Sequence, residues 1–330
     1  MGEPIVTHPH TAQPPETPEP DLVTLGGEVF QAIFDVDQLP PFLMSVVSHS
    51  DHWLFVSSRG GLTAGRGSAA GALFPYVTDD KLHTCHAHTG PLTTLRVLTA
   101  SGPRVWEPLR PENDDPQIRR HLYKSALATQ VLFEEVHQGL GLVFRARWST
   151  SQAFGFVRTV SLENRGPAPC SLELADGLVD LMPAGVAQGL QQSASCLVNA
   201  YTRADVDPQT GLGLVALQAA IVDQPVSAES LRTTTVFCTG LPGFEVLLST
   251  DQLGALRRGQ PVRPEATLKG RRAAYLVKGA LTIAPGEVRT WRLVSPSTVP
   301  LHGGTDEPLP GVFCPRDFVA WRLLGPRHFR

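Results

Sequence analysis

The sequence is poor in charge, in aromatic side chains and in methionine. Of its 330 residues 18% are charged and 7% aromatic, three are methionine, and the formal net charge is −3. This near-neutral balance leaves no basic surplus for a phosphate backbone, which excludes an electrostatic nucleic-acid binder. No run of roughly 18 apolar residues occurs, so no membrane-spanning helix and no membrane partner are expected. The first residues, MGEPIVTHPH, have neither the basic start nor the apolar stretch of a secretory signal. The five cysteines, Cys85, Cys170, Cys196, Cys238 and Cys314, are odd in number and far apart, unlike a disulfide framework. The expectation is a cytoplasmic protein whose thiols are all buried and inert.

What is abundant is glycine and proline, 30 and 29 residues respectively, beside an ordinary apolar fraction of 42%. A sizeable core can form, but helix breakers spread along the whole chain leave little room for long helices. Residues 1–20 carry six prolines and no aromatic residue, so 1–21 reads as a disordered leader. From Leu22 to Ser295, short apolar runs are cut by glycine or proline at the spacing of a large antiparallel β architecture. Leu142, Phe144, Ala146 and Trp148 alternate with Val143, Arg145 and Arg147, the pattern of a half-buried strand. Gln130–Val136 is its expected hairpin partner, through a loop containing Gly139. Phe156–Glu163 with Ser171–Ala175, and Ala280–Ile283 with Val288–Val294, read as two further hairpins. In the last, Pro285-Gly286 fits the central positions of a type II turn. The one sizeable helix candidate is 116–128, with Ile118 and Leu122 on one side and Asp114 or Asp115 as cap. Residues 296–330 show no sustained alternation and read as an irregular tail.

Local motifs define no catalytic centre. The segment Ser57-Ser58-Arg59-Gly60-Gly61-Leu62-Thr63-Ala64-Gly65-Arg66-Gly67 has two glycines at phosphate-loop spacing. Arg66 and Gly67 stand, however, where lysine and a hydroxyl residue are needed. Gly65, Gly67 and Gly71 miss the dinucleotide spacing by one residue. The plain reading is a glycine-rich turn with two exposed arginines; the functional one directs its N–H groups and arginines at an anion or a sugar hydroxyl. His83-Thr84-Cys85-His86-Ala87-His88 is dense in metal-capable side chains but has no second half, so no metal and no cofactor are expected. Asp79-Asp80, Asp114-Asp115 and Glu134-Glu135 are adjacent acids. In a strand Glu134 and Glu135 point to opposite faces and cannot share a pocket. Trp53, Phe55, Phe74, Tyr76, Trp106 and Trp148 serve either a sandwich core or a sugar-stacking surface.

Asp51-His52-Trp53-Leu54-Phe55-Val56-Ser57-Ser58-Arg59-Gly60-Gly61, then Ala72-Leu73-Phe74-Pro75-Tyr76, Asp79-Asp80-Lys81-Leu82-His83, Trp106-Glu107-Pro108, Phe133-Glu134-Glu135-Val136 and Phe154-Gly155-Phe156-Val157-Arg158 carry a resemblance. Over approximately residues 35–295 the chain resembles the front of cellobiose-phosphorylase-like, six-hairpin-glycosidase-related bacterial proteins. The resemblance implies a mainly-β, galactose-mutarotase-like supersandwich with few short helices over 22–295. It implies a carbohydrate ligand, a possible homodimer, and a helical (α/α)6-barrel partner domain that holds the catalytic acids. The 35 residues after Ser295 are too few for that barrel. The tail is therefore expected to be the start of a missing linker or a truncated reading frame, and no catalytic residue carries over.

Arg59, Arg66, Tyr76, His83 and Trp106 are the candidate contacts with a ligand or partner domain. The leading expectation is a sugar-enzyme-associated sandwich, inactive alone, with an apolar patch where a barrel docks. The alternatives are a stand-alone aldose-epimerase-like enzyme using His83, His86, His88 or Glu107 as acid and base, and a non-catalytic carbohydrate-binding module.

Overall fold

Ile118 and Leu122 lie four residues apart, an even number, so they share a face in a helix and in a strand alike. The computed structural model, which describes residues 21–221 and 232–300, forms the strand Ile118–Ser125 there and not the expected helix. Ile118 and Leu122 are buried, and Arg120 on their face pairs with the fully buried Glu135. Arg119 between them is exposed. Asp115 caps no helix; it accepts the Gln117 amide in a tight turn at 2.9 Å.

The described strands form three antiparallel sheets of eleven, five and four strands. The large sheet runs in the order Asp21–Leu25, Glu28–Ile33, Ile118–Ser125, Gln130–His137, Leu142–Ser151, Gly155–Asn164, Val288–Pro300, Arg232–Thr239, Gly213–Leu217, Thr202–Val206, Thr267–Lys269. The five-stranded sheet orders Glu245–Leu247, Ala273–Ile283, Cys170–Leu181, Gly90–Thr99, Gly102–Trp106. The third joins Leu43–Val46, His52–Ser57, Leu62–Arg66 and Ala72–Phe74. One core is shared by all three: Phe133, Trp148 and Trp291 from the first, Leu95, Leu174 and Val277 from the second, Val56, Leu62 and Phe74 from the third. Helices are few and short, the longest described being Ser195–Tyr201. The fold class is thus mainly β with large antiparallel sheets, as the alternation requires.

The expected hairpin of Gln130–His137 with Leu142–Ser151 is present, with Val136 opposite Val143 and His137 opposite Leu142. Its left-handed residue is Gly141 (φ +64°), closing a short 3-10 turn. The other two expected hairpins do not form. Gly155–Asn164 and Cys170–Leu181 belong to different sheets, as do Ala273–Ile283 and Val288–Pro300. The Pro285-Gly286 turn is real, with Gly286 at φ +74° and the Glu287 amide donating to the Ala284 oxygen at 3.0 Å. It carries the chain from one sheet to the other. Asn164 ties both crossings together: its side-chain amide donates to Ala168 and Ile283 oxygens at 2.8 and 2.9 Å, and its own carbonyl accepts the Gly286 amide.

The expected irregularity after Ser295 is corrected for five residues, since the strand continues to Pro300 against Arg232–Thr239. A register shift at Val236 accommodates Pro296, which cannot donate to a ladder. Residues 301–330 of the expected tail and 1–20 of the expected leader lie outside the described residues; Asp21 begins the first strand. The cysteines differ in setting. Cys85 and Cys238 are buried, Cys170 is half-buried and Cys196 is exposed, while Cys314 lies outside the described residues.

Between the two larger sheets, Arg158 donates to both Asp176 oxygens at 2.8 and 2.9 Å, with Arg158 1% and Asp176 0% exposed. Thr93 and the Trp291 indole donate to the same carboxylate at 2.6 and 2.7 Å. Asp176→Ala strands a guanidinium in the core and is expected to cost about 3–5 kcal/mol. Denaturant unfolding checks this, and a loss below 1 kcal/mol, roughly a surface pair's worth, contradicts it. A second expectation concerns acid. Burial, helped by the Arg66 charge, pushes the His52 pKa down to about 4. The unfolded chain therefore takes up a proton between pH 6.5 and 4 that the folded chain refuses. Stability falls by about 3 kcal/mol across that window and is unaffected by this group above it. Wild type and His52→Gln compared at pH 7 and pH 4.5 should converge in acid; a constant difference contradicts the assignment.

Candidate functional site

Three hollows adjoin where the loops of all three sheets meet. The first is lined by Asp37, Arg59, Arg120 and His121 among others. The middle one has Arg59, His86 and Arg110 around it, with Phe133, Trp148 and Arg158 also in its wall. The third, of about 290 Å³, has His88, Arg110, Asp180, Arg257 and Arg272 in its wall. Arg59 belongs to the first two and Arg110 to the last two, so two guanidiniums join them into a groove.

Arg59 follows from local turn chemistry. Ser57 to Gly60 close a tight turn, with the Gly60 amide on the Ser57 oxygen at 2.8 Å and Gly60 at φ +86°. The Ser57 hydroxyl accepts the Arg59 amide at 3.1 Å and meets His83 Nδ1 at 2.9 Å. Arg59 and His83 are thus brought to one corner. The Arg59 head donates to the Asp37 backbone carbonyl at 3.4 Å and is half-buried rather than exposed as the turn alone suggested.

Trp106 is not a ligand platform: it is 1% exposed and sits in the core against His137 and Phe144. Its role is one layer back. Its indole donates to Glu135 at 2.7 Å, and Glu135 also accepts the Leu109 amide and Arg120 at 2.8 and 2.9 Å. The buried carboxylate therefore fixes the segment that presents Arg110.

Arg66, Tyr76 and His83 are not among the residues lining the groove. Arg66 lies half-buried across from His52 in the four-stranded sheet. Tyr76 stands edge-on to Trp53 at 5.8 Å, and Trp53 stacks near Phe55 at 6.2 Å. Phe55 and Leu43, on adjacent strands, are 41% and 38% exposed. Phe74 and Trp148, by contrast, are core.

The His83–His88 segment follows the short helix Asp79–Leu82 and contains the 3-10 turn Cys85–Ala87; it is not a strand. His86 Nε2 meets Glu112 at 2.7 Å, and that contact holds the Glu112 carboxyl below its usual range. His86 borders the middle hollow and His88 the third. Among the described residues no three His, Cys, Asp or Glu side chains are placed to hold a metal. Glu107 accepts from Thr94 at 2.8 Å and from two nitrogens of Arg257 at 3.0 and 2.5 Å, which makes it Arg257's holder. Glu134 and Glu135 do face opposite sides. Glu134 takes the Tyr123 hydroxyl and Arg145 on the outer face, directly across from His121.

Sequence reasoning missed Arg110, Arg257, Arg272 and Asp180. They come from segments up to about 160 residues apart that only sheet topology joins, and no local spacing marks them. Asp180 alone left a signal the structure explains: it is the extra residue of a bulge, in left-handed backbone at φ +61°. A larger hollow of about 480 Å³ lies among the loops at 206–211, 243–246 and 264–266. Its carboxylates are engaged: Asp207 by Thr210, Glu265 by Ser249 and Glu245 by Lys278.

No protein-family model matches the chain, and no curated protein matches it in sequence. Solved structures do resemble it in fold. A polysaccharide lyase is similar over 81% of this chain and 33% of its own, at 12% identity and TM-score 0.40. A putative aldose 1-epimerase of Escherichia coli K12 is similar over 79% and 100%, at 11% identity and TM-score 0.42. A galactose mutarotase-like protein from Clostridium acetobutylicum is similar over 78% and 98%, at 10% identity and TM-score 0.36. The chain spans about a third of the length of that lyase. These are likenesses of strand layout and assign no chemistry to any residue here. Among the described residues no helix is long and apolar enough to cross a membrane.

The thiols give a direct check on this site geometry. Burial pushes the Cys238 thiol up to about 12 and raises Cys85 above its ordinary value. Native protein treated with a maleimide should label Cys196 rapidly, and Cys85 and Cys238 only after unfolding, as read by peptide mass mapping. Rapid native labelling of Cys85, the buried residue of the His83–His88 segment, contradicts the placement.

Proposed function

We propose that the chain is the sandwich domain of a carbohydrate-active protein of the cellobiose-phosphorylase-like kind, binding saccharide along the groove and inactive alone. The observation that carries this reading is that Arg59 and Arg110 each border two adjoining hollows. A strip of planar multi-donor groups beside His86 suits a ligand dense in hydroxyl oxygens. Behind the strip Glu135 is engaged by Trp106 and Arg120, Glu107 by Arg257 and Glu112 by His86; in its walls Glu134 and Asp180 take the Tyr123 and Thr89 hydroxyls, and Asp37 keeps one buried oxygen unpaired. The engaged carboxylates hold donors in place, which fits a binding and shaping role beside a catalytic partner domain.

A second reading rests on the first hollow of the groove, whose wall includes both His121 and Glu134. His121 and Glu134 stand directly opposite on neighbouring strands, with facing Cβ atoms about 5 Å apart in such pairs. The Asp35 amide donates to His121 Nδ1 at 3.1 Å, so the proton of the neutral ring is on Nε2. That is a donor beside a carboxylate, the equipment of an aldose epimerase.

The full chain titrated calorimetrically with a neutral gluco-tetrasaccharide should bind without turnover. Arg110→Ala should weaken binding about tenfold, the worth of one charged hydrogen bond. No binding to the wild type overturns the first reading. Catalysed mutarotation that His121→Gln abolishes replaces it with the second.

A further inference from the structure

The third hollow differs from its neighbours in size and in charge. At about 290 Å³ it lies near the lower end of ligand cavities, which run about 300–1,000 Å³. Arg110, Arg257 and Arg272 border it together with His88 and Thr250, and Asp180 is the acid in its wall. How each guanidinium is engaged decides what the hollow takes. Arg110 donates to the His86 backbone oxygen at 3.2 Å, not to a carboxylate. Arg257 is clamped on Glu107 through Nε and Nη2. Arg272 Nε stands 3.8 Å from Asp180, beyond hydrogen-bond reach, and its side chain is 53% exposed. Asp180 spends its other oxygen on the Thr89 hydroxyl at 2.7 Å.

Three arginines thus border the hollow: Glu107 holds Arg257, Asp180 stops just short of Arg272, and Glu112, which pairs with His86, reaches Arg110 only through its charge, so Arg110 and Arg272 keep N–H groups that no carboxylate takes. The remaining wall is apolar, with Leu92, Val179, Leu253, Ala273 and Ala274. Such a wall lowers the local dielectric and strengthens the field of the arginines on an entering anion. The backbone reinforces the arrangement. Asp180 is held at φ +61° in a register shift between Val179 and Leu181. A strained bulge that re-aims a side chain into a hollow is a feature typical of functional sites.

We propose that this hollow binds an oxyanion carried on a sugar ring, a carboxylate or a sulfate, so that the groove takes acidic rather than neutral saccharides. Arg272 and Arg110 supply the direct contacts, and Arg257, positioned by Glu107, supplies field. The proposal rests on the sugar-binding reading, because Arg110 and Leu92 join this hollow to the middle one. A charged ring seated here continues into the strip between Arg59 and Arg110.

The test titrates the full chain with a uronate-containing tetrasaccharide, its sulfated counterpart, the neutral gluco-tetrasaccharide and inorganic phosphate. At least one acidic sugar should bind about tenfold tighter than the neutral one. The preference should shrink as salt rises from roughly 50 to 500 mM, because the site is partly open to solvent. Whichever acidic sugar binds better says whether the anion is a carboxylate or a sulfate. Arg272→Gln should lower the acidic-to-neutral ratio about tenfold. Arg289→Gln serves as charge control, since Arg289 pairs with Glu287 at the far turn and should leave the ratio unchanged. Equal affinity for acidic and neutral sugars overturns this proposal and leaves sugar binding standing. No binding of any sugar overturns both. Phosphate binding without acidic-sugar binding overturns the sugar-borne form and assigns the hollow to a free anion.

Discussion

The buried ion pair between Arg158 and Asp176 is the constraint on which the molecule's geometry rests. An uncompensated charge between two sheets would cost several kcal/mol, so neither residue is tolerable there without the other. The pair joins the large sheet to the five-stranded one, and two further strands add Thr93 and Trp291 to the same carboxylate. Apolar residues alone allow two sheets to slide by one residue with little loss of contact. A carboxylate that must meet three donors from three other strands does not, which fixes the relative register of the sheets. Arg158 also lies in the wall of the middle hollow, so the groove is built on the element that aligns the sandwich.

Strand identity was legible in the sequence, and strand destination was not. Period-two alternation from Leu142 to Trp148 marked both the strand and its partner, because in a tight hairpin the turn chemistry and the pairing are one local event. At Pro285-Gly286 the same chemistry marked a true turn, yet the flanking strands enter different sheets. A turn sets the reversal of the chain, and long-range contacts decide which ladder each arm joins. Here Asn164 is the deciding residue, since one buried amide satisfies backbone groups of both crossings. The helix expected over 116–128 failed for a related reason. A spacing of four fits both periods, and the discriminating fact was that Arg120 faces inward to meet Glu135, which is visible only once the neighbouring strand is in place.

The site divides along the same line. Arg59 was readable because it depends on Ser57, whose hydroxyl closes a glycine-rich turn; His83 meets the same hydroxyl but is not among the residues lining the groove. Arg110, Arg257 and Arg272 carry no local signature, and arginine in a loop or at a helix end is ordinarily a solvated surface residue. What makes them a set is the acid each is given or denied: Glu107 for Arg257, a backbone oxygen for Arg110, a carboxylate just out of reach for Arg272.

Trp106 shows how a wrong role and a right location arise together. Its ring was a candidate sugar platform, and it proves to be core; yet its indole holds Glu135, and Glu135 holds the Leu109 amide next to Arg110. The buried carboxylate accepts from an indole, a backbone amide and a guanidinium, so its desolvation is offset only if all three arrive. That requirement locks the loop after Gly102–Trp106 in one conformation. A long, flexible arginine otherwise loses up to about 2 kcal/mol of rotamer freedom when it binds, and a rigid base beneath it limits how much more the backbone must lose. Polar groups buried behind a groove thus make the exposed donors effective: they give nothing to the ligand directly, but they decide where its partners stand before it arrives.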